Sequence, residues 1–536
     1  MNLPPGYPPS HSNLHKDRNF HMTTSLSQIL FTSMFSCLAF PVGLLAAPPK
    51  PNVIFILADD LGIGNVGCYG SDNYKTPNID KLAAGGIRFT KSFTASLCGP
   101  SRALIMTGRY AFRNGSTNQD ACMVIPNSEL QLARTFRNAG YRTSFIGKWG
   151  QLPGEPDEAG FDDYLRFNGS GVYINQKPDK PEQYRVNRNE LKLGNNEYMP
   201  DLMHDRAVAF IQKYQSRPFF LYYSLVHVHG DILPTPDSPP DSQDLFADNI
   251  LYMDKLVGKL VAELDALKLR EKTLVIFMGD NGTGKGQNPR STIGARNLSG
   301  MKGSMLECGG LVPTIANWPG TTPAGLVSTN LIDSTDFITT FAELAGAKLP
   351  DNTIMDGQSF APQLRGEKGK QREWVFNQLA RSWYVRDSQF KLNQAGELFD
   401  MSGAPFTETL IEPGKETSAA SAARMNLSAV LEKLDPAGGI LDQGDGSGRH
   451  ANKAEKKKES ESTPGKPLEA SSAEKDIAER AAKFDKLDKK EMGRLTRDYY
   501  VNNQSDADAA AERFDKYDVN QDGFLSRDEF IHRGKK

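Results

Sequence analysis

Three short, almost wholly apolar runs punctuate the chain: Val53-Ile54-Phe55-Ile56-Leu57-Ala58, the run 219–226 that follows Arg217-Pro218, and the run 273–278 that follows Lys272, with Ser224 and Thr273 as the polar members. Their β-branched and aromatic content, without polar alternation, predicts strands buried on both faces. Between them, segments 128–139 and 245–267 carry apolar residues at helical spacing and predict amphipathic helices. Strands alternating with helices predict an α/β domain, a mostly parallel sheet flanked by helices, with no domain break from Pro77 to about Leu344. Further on, Trp383-Tyr384-Val385 and Phe390-Lys391-Leu392 predict short strands of a small C-terminal α+β subdomain at 376–434.

Composition narrows the partners. With 38% hydrophobic residues, 24% charged residues and 63 basic against 65 acidic side chains, the 536-residue chain is an ordinary globular protein near charge balance. It has no global field for nucleic acid, so an anionic substrate must be met by a local cluster of cations. The five cysteines are scattered, with neither zinc-knuckle pairs nor a dense disulfide framework.

The ends of the chain differ from its middle. The apolar run 29–47 follows His15, Lys16 and Arg18 and ends in Ala46-Ala47-Pro48-Pro49. This predicts a signal peptide over 1–47, with Met22 as an alternative start, and export to the periplasm or the extracellular space. Pro41 and Gly43 argue against a stable membrane span. Beyond Leu434 the Gly, Ser, Lys and Glu content, including Lys456-Lys457-Lys458, predicts a disordered linker at 435–476. Helical periodicity returns at 477–536. There, Asp518, Asn520, Asp522, Phe524, Ser526 and Glu529 fall on the liganding positions of a twelve-residue EF-hand loop, with Gly523 at its turn, and predict a Ca²⁺ site. Residues 488–499 keep Asp488, Gly493, Leu495 and Thr496 at the equivalent offsets but place Lys490, Met492 and Tyr499 where oxygens are needed. They predict a degenerate partner hand.

Two strand runs end in oxygen donors, Asp59-Asp60 and Asp280-Asn281. Residues just past the carboxyl ends of parallel strands face the ligand crevice, so these four can converge. Either pair alone is also explained by a turn or a helix cap; the recurrence favours a hard-oxygen site for Ca²⁺ or Mg²⁺. Between them, Cys98-Gly99-Pro100-Ser101-Arg102 leads into the apolar Ala103-Leu104-Ile105-Met106, which places Cys98 at a helix N-terminus. A thiolate nucleophile and a buried inert cysteine are both open readings. A Cys-x5-Arg phosphatase is excluded, because its arginine would fall at Leu104.

Cys98-Gly99-Pro100-Ser101-Arg102 followed by Thr107-Gly108 resembles the Cys-x-Pro-Ser-Arg signature of type I sulfatases, whose cysteine is oxidised to formylglycine by a maturase. Residues 140–149 resemble the family's second signature, residues 52–62 its first metal strand, and Met301-Lys302-Gly303-Ser304 with Val312-Pro313 its substrate-lysine region. The resemblance spans about 51–400 and implies the alkaline-phosphatase-like α/β fold. It also implies one divalent cation, usually Ca²⁺, held by Asp59, Asp60, Asp280, Asn281 and the oxidised Cys98. The hydrated aldehyde would be the nucleophile, favoured by Arg102, with Lys148, Lys302 and His229 on the sulfate group. The implied function is an exported hydrolase of sulfate esters, sulfated small molecules or glycans. A phosphodiester or phosphonate ester hydrolase of the same superfamily, and a non-catalytic calcium-dependent glycan binder, are the rival readings. One position departs from the family pattern, and one family position has two candidates. Gly150 stands where the second signature usually continues with histidine, and His227 and His229 compete for one family histidine, with the Pro234-Thr235-Pro236 spacing favouring His229.

Overall fold

The structure is a computed structural model that describes residues 50–450 apart from 168, 170 and 177–180. In the C-terminal segment it describes 480–481, 483–488, 494–502, 507–520 and 522–532. The signal-peptide segment, residues 451–476 of the linker and residues 489–493 of the degenerate hand lie outside the described residues. No helix among the described residues is long and apolar enough to cross a membrane.

Ten strands form one sheet: β1 (Asn52–Ala58), β2 (Ile87–Phe93), β3 (Arg142–Lys148), β4 (Asp163–Phe167), β5 (Gln183–Val186), β6 (Asn189–Lys192), β7 (Phe219–Ser224), β8 (Thr273–Gly279), β9 (Thr314–Asn317) and β10 (Leu326–Asp333). Their order is β10-β2-β9-β8-β1-β7-β3-β4-β5-β6. The centre is parallel: β1 pairs with β7 and β8, and β3 with β7 and β4. Antiparallel partners join at β9, β5 and β6.

The alternation along β1 explains its continuous apolar run. Ile54, Ile56 and Ala58 enter one core with Met203, Ile250 and Met253, whereas Val53, Phe55 and Leu57 enter a second with Ile105, Phe136 and Phe341. Both faces are covered, so positions 53–58 are all apolar. Phe55 meets the rings of Tyr222, Phe337 and Phe341 at 5.0–5.9 Å between centroids. Phe55→Ala is expected to cost about 3–5 kcal/mol, read as a lower urea midpoint at unchanged slope.

The register carries the fold's main consequence for chemistry. Ala58 pairs with Gly279, so Asp59-Asp60 and Asp280-Asn281 emerge side by side beyond the carboxyl edge. On the other side of β1, Leu57 pairs with Ser224 and Ser224 with Gly147, which brings Lys148 to the same edge.

Three expectations need correction. The helix expected at 128–139 is only Leu132–Asn138, because Leu130 leaves helical backbone (ψ 86°) after a 3₁₀ turn at Asn127–Glu129. The strand expected at 219–226 ends at Ser224; the Leu225 N–H still donates to the Leu57 carbonyl, and the chain then turns toward the site. The linker does not begin at 435. Residues 435–450 are fixed to the domain by a short 3₁₀ turn, by the Ile440 N–H donating to the Phe112 carbonyl (2.7 Å), and by the buried Asp442 carboxylate. Gly and Ser lower a segment's own tendency to fold, but a few buried polar anchors are enough to order it. The expected C-terminal subdomain is present as a five-stranded antiparallel sheet, Val375–Leu379 through Thr409–Leu410, covered by the helix Ser418–Leu434.

Candidate active site

Helix α1 (Cys98–Thr107) starts at Cys98, with Leu97 in extended backbone before it, and every residue of the helix is buried. Arg102, one turn in, crosses the carboxyl edge of the sheet. Its Nε and Nη2 donate to Asp280 Oδ2 at 3.1 and 2.8 Å, its Nη1 donates to the Lys148 carbonyl at 2.9 Å and to Ser224 Oγ, and Nη2 lies 4.0 Å from Asp59. Burial works against the guanidinium charge, but Asp280 and Asp59 outweigh it and hold Arg102 protonated.

Lys148 donates to Asp59 Oδ2, and Lys302 donates to Asp60 at 2.7–2.8 Å. Asn281 Nδ2 donates to Asp60 Oδ1 at 2.9 Å, and the Asp60 N–H donates to Asp280 Oδ1 at 3.0 Å. Asp60 holds this place with a left-handed φ of 56°, strain of the kind that collects at functional sites. Nine sequence-nominated residues thus meet: Asp59, Asp60, Cys98, Arg102, Lys148, His229, Asp280, Asn281 and Lys302.

The donor set fits a hard divalent cation. Asp59 Oδ1 and Asn281 Oδ1 are buried and accept no hydrogen bond. Ligand atoms of Asp59, Cys98 and Asp280, and of Asp59, Asp60 and His229, lie within 4.8 Å of one another. Burial pushes the Asp59 carboxyl up to about 8; Lys148 opposes this, and Asp280 and Asp60 add to it. Two orphaned oxygens on crowded carboxylates are what a cation would satisfy.

The two histidines separate cleanly. His227 is fully buried away from the carboxylates, its Nε2 3.1 Å from Tyr198 Oη, and burial pushes it down to about 3. His229 faces the site, its Nε2 3.9 Å from Asp60 Oδ2. Burial first, then Lys148 and Lys302, push it down to about 2, so it is neutral.

Gly150 explains why a histidine is missing there. Its φ is +76°, and a Cβ would sit 3.2 Å from Arg102 Cδ. A left-handed backbone costs a non-glycine residue about 1–2 kcal/mol before that contact is counted. Gly150→His is therefore expected to lower the melting temperature and to reduce, not raise, turnover, as scanning calorimetry and an aryl sulfate assay would show.

Gln119 was not legible in the sequence: it lies in a loop with no motif around it. Its Nε2 donates to Cys98 Sγ at 3.0 Å and its Oε1 accepts the Gly99 N–H at 2.7 Å. Ser224, which donates to the Lys148 carbonyl at 2.7 Å, was likewise missed.

In the C-terminal module, strand β11 (Arg494–Thr496) pairs with β12 (Phe524–Ser526), with Leu495 opposite Leu525. Asp518 accepts the Asp522 and Gly523 N–H groups at 3.2 and 3.0 Å, and Glu529 reaches back to the N–H groups of Val519 and Ser526.

A two-sided α/β sheet with oxygen donors, a helix-N-terminal Cys98 and three cations at its carboxyl edge defines a hydrolase of anionic esters. The chain belongs to the sulfatase family: residues 51–347 match the family model described as Sulfatase. It is 33% identical over 365 residues to the N-acetylgalactosamine-6-sulfatase of Canis lupus familiaris, covering 61% of this chain and 68% of that one. With arylsulfatase A of Bos taurus it shares 32% over 423 residues, 71% and 81% of the two chains. The crystal structure of Ps i-CgsB superposes with a TM-score of 0.63 at 28% identity, covering 78% of this chain and 98% of that one. PsFucS1 sulfatase from Pseudoalteromonas sp. gives 0.60 at 25% identity, covering 73% and 92%. The protein is a sulfuric ester hydrolase.

Proposed function

We propose that this chain is an exported sulfatase of sulfated glycans that acts through a formylglycine made from Cys98 and a divalent cation, Ca²⁺ or Mg²⁺. The observation that carries this reading is the meeting of Asp59, Asp60, Asp280 and Asn281 with Cys98 and three cationic side chains in one buried crevice. Glycan substrates are supported by the solved relatives, one of them Ps i-CgsB in complex with k-i-k-neocarrahexaose.

Asp59, Asp60, Asp280, Asn281 and residue 98 would hold the cation, which supplies Lewis acidity beside the reacting oxygen. An aldehyde at position 98 supplies, once hydrated, two hydroxyls on one carbon. Arg102 fixes Asp280 and places a permanent charge beside residue 98. Lys148 and Lys302, paired here with the carboxylates, are the groups that neutralise sulfate oxygens. His229 presents Nε2 to the crevice; the negative charge of a bound sulfate ester offsets the lysines that keep the ring neutral and favours a proton there for the leaving oxygen.

The test is the mass of the tryptic peptide containing Cys98 from natively matured protein, with turnover of an aryl sulfate, sulfated oligosaccharides and a phosphodiester. Aldehyde with sulfate release supports the reading. An unmodified thiol without turnover overturns it in favour of a calcium-dependent glycan binder, and preferential cleavage of the phosphodiester overturns it in favour of a phosphodiester hydrolase.

The EF-hand loop is proposed to bind Ca²⁺ through Asp518, Asn520, Asp522, the Phe524 carbonyl, Ser526 and Glu529. Pairing of β11 with β12 supports this, since it joins the loop to its degenerate neighbour. Glu529→Gln is expected to weaken calcium uptake by about 10-fold or more in a calorimetric titration, because the bidentate ligand is lost.

A further inference from the structure

We propose that Gln119 is a positioning residue for the reacting side chain at position 98, and that segment 440–450 holds Gln119 in place. The inference rests on the reading of residue 98 as the source of the nucleophile.

One amide spans the first turn of α1. Gln119 Oε1 takes the Gly99 N–H (2.7 Å), while Nε2 donates to the side chain of residue 98 (3.0 Å). Sγ of Cys98 stands where an oxygen on Cβ would stand after oxidation, and oxygen is the stronger acceptor. The same amide therefore ties the side-chain rotamer of residue 98 to the helix that carries it. Restricting that rotamer is worth rate, because a reacting atom displaced by about 1 Å can cost on the order of 100-fold.

Gln119 lies in residues 115–120, which have neither helix nor strand to locate them. Their place is set from the C-terminal side of the domain. The Gln119 N–H donates to the Gly448 carbonyl at 2.8 Å. Thr117 Oγ1 and Asn118 Nδ2 both donate to Asp442 Oδ1, at 3.0 and 2.6 Å, and the Gly444 N–H donates to Asp442 Oδ2 at 3.1 Å. The buried Asp442 carboxylate thus joins the loop to the strap, and Arg381 Nε adds a long bond to the Asp442 carbonyl at 3.4 Å. A segment that reads as linker in the sequence is, by this account, part of the active-site scaffold.

The test compares full-length wild type, Gln119→Ala, Gln119→Glu, Asp442→Ala and the Gln119→Ala/Asp442→Ala double variant, all from the maturing host. It measures kcat and KM on an aryl sulfate, the aldehyde fraction at residue 98 by peptide mass, and the melting temperature. Gln119→Ala and Gln119→Glu are both expected to lose about 10–100-fold in kcat, with KM within about three-fold and an unchanged aldehyde fraction. Glutamate keeps the acceptor for the Gly99 N–H and loses the donor, so wild-type kcat in Gln119→Glu would reduce Gln119 to a helix cap and overturn the inference. A kcat loss that only follows a lower aldehyde fraction would overturn it too. Asp442→Ala is expected to lose about 3–10-fold in kcat, and the double variant to be no slower than Gln119→Ala, because coupled residues are non-additive. Fully multiplied losses would remove the strap from the proposal. Should Asp442→Ala fail to fold, the near-isosteric Gln119→Glu decides alone. Wild-type protein without aldehyde or turnover would sink the functional reading itself, whereas active wild type beside a fully active Gln119→Glu would sink only this inference.

Discussion

Replacing Cys98 with serine, in protein shown by mass to carry no aldehyde, is expected to lower steady-state turnover of an aryl sulfate by at least about 1,000-fold. A serine keeps one oxygen at the start of α1, within reach of the same surroundings: the Gln119 amide, the Arg102 charge and the strand-end carboxylates. What it lacks is the second hydroxyl on the same carbon. It can attack sulfur and release the substrate alcohol, but the sulfated serine has no neighbouring oxygen to expel sulfate. The expected result is a burst of at most one alcohol per chain followed by a stalled, covalently sulfated protein; Cys98→Ala should give no burst. Steady turnover by the serine variant at the wild-type rate would show that the second hydroxyl is not needed, and with it the formylglycine reading would fall.

The fold was legible where burial is two-sided. The runs 53–58, 219–223 and 274–279 are apolar at every position because cores lie on both faces of the sheet, and a periodicity of neither two nor 3.6 is itself the signal. Boundaries were less legible, since Leu130 breaks a helix through its backbone angle with no glycine or proline to announce it. The ordered strap at 440–450 was illegible for a related reason. Its anchor, Asp442, is a single carboxylate whose partners Thr117 and Asn118 stand more than 300 positions earlier in the chain, and nothing local distinguishes it from Asp445, which bonds only within its own turn.

The site was legible to the extent that its chemistry lies in contiguous motifs. Asp59-Asp60, Asp280-Asn281 and the stretch from Cys98 to Arg102 each sit where a strand or helix ends, so position and chemistry coincide. His229 needed the structure to be separated from His227: both belong to one short turn, and only the folded chain shows one ring beside Asp60 and the other beside Tyr198. Gln119 and Ser224 each act on other site residues through two hydrogen bonds, and an isolated amide or hydroxyl carries no spacing signal.

Arg102→Met is expected to have the largest combined effect on stability and rate. The guanidinium is enclosed, donates to Asp280, the Lys148 carbonyl and Ser224, and lies near Asp59. Methionine fills much of the volume and returns none of the charge. Three carboxylates, Asp59, Asp60 and Asp280, are then left with only Lys148 and Lys302. Breaking a buried pair from one side typically costs about 3–5 kcal/mol, so chemical denaturation of the chelated variant should show a loss of that size. Turnover should fall by about 100-fold or more, because the charge beside residue 98 and the fixed orientation of Asp280 disappear together. The same excess of negative charge makes a further expectation specific: added calcium should raise the melting temperature of Arg102→Met more than that of wild type, since the ion now offsets carboxylates that Arg102 no longer neutralises. Glu529→Gln in the background of both proteins removes any contribution of the proposed EF-hand site to that shift. If calcium stabilises the variant no more than it stabilises wild type, the carboxylates at the sheet edge are not where the cation acts.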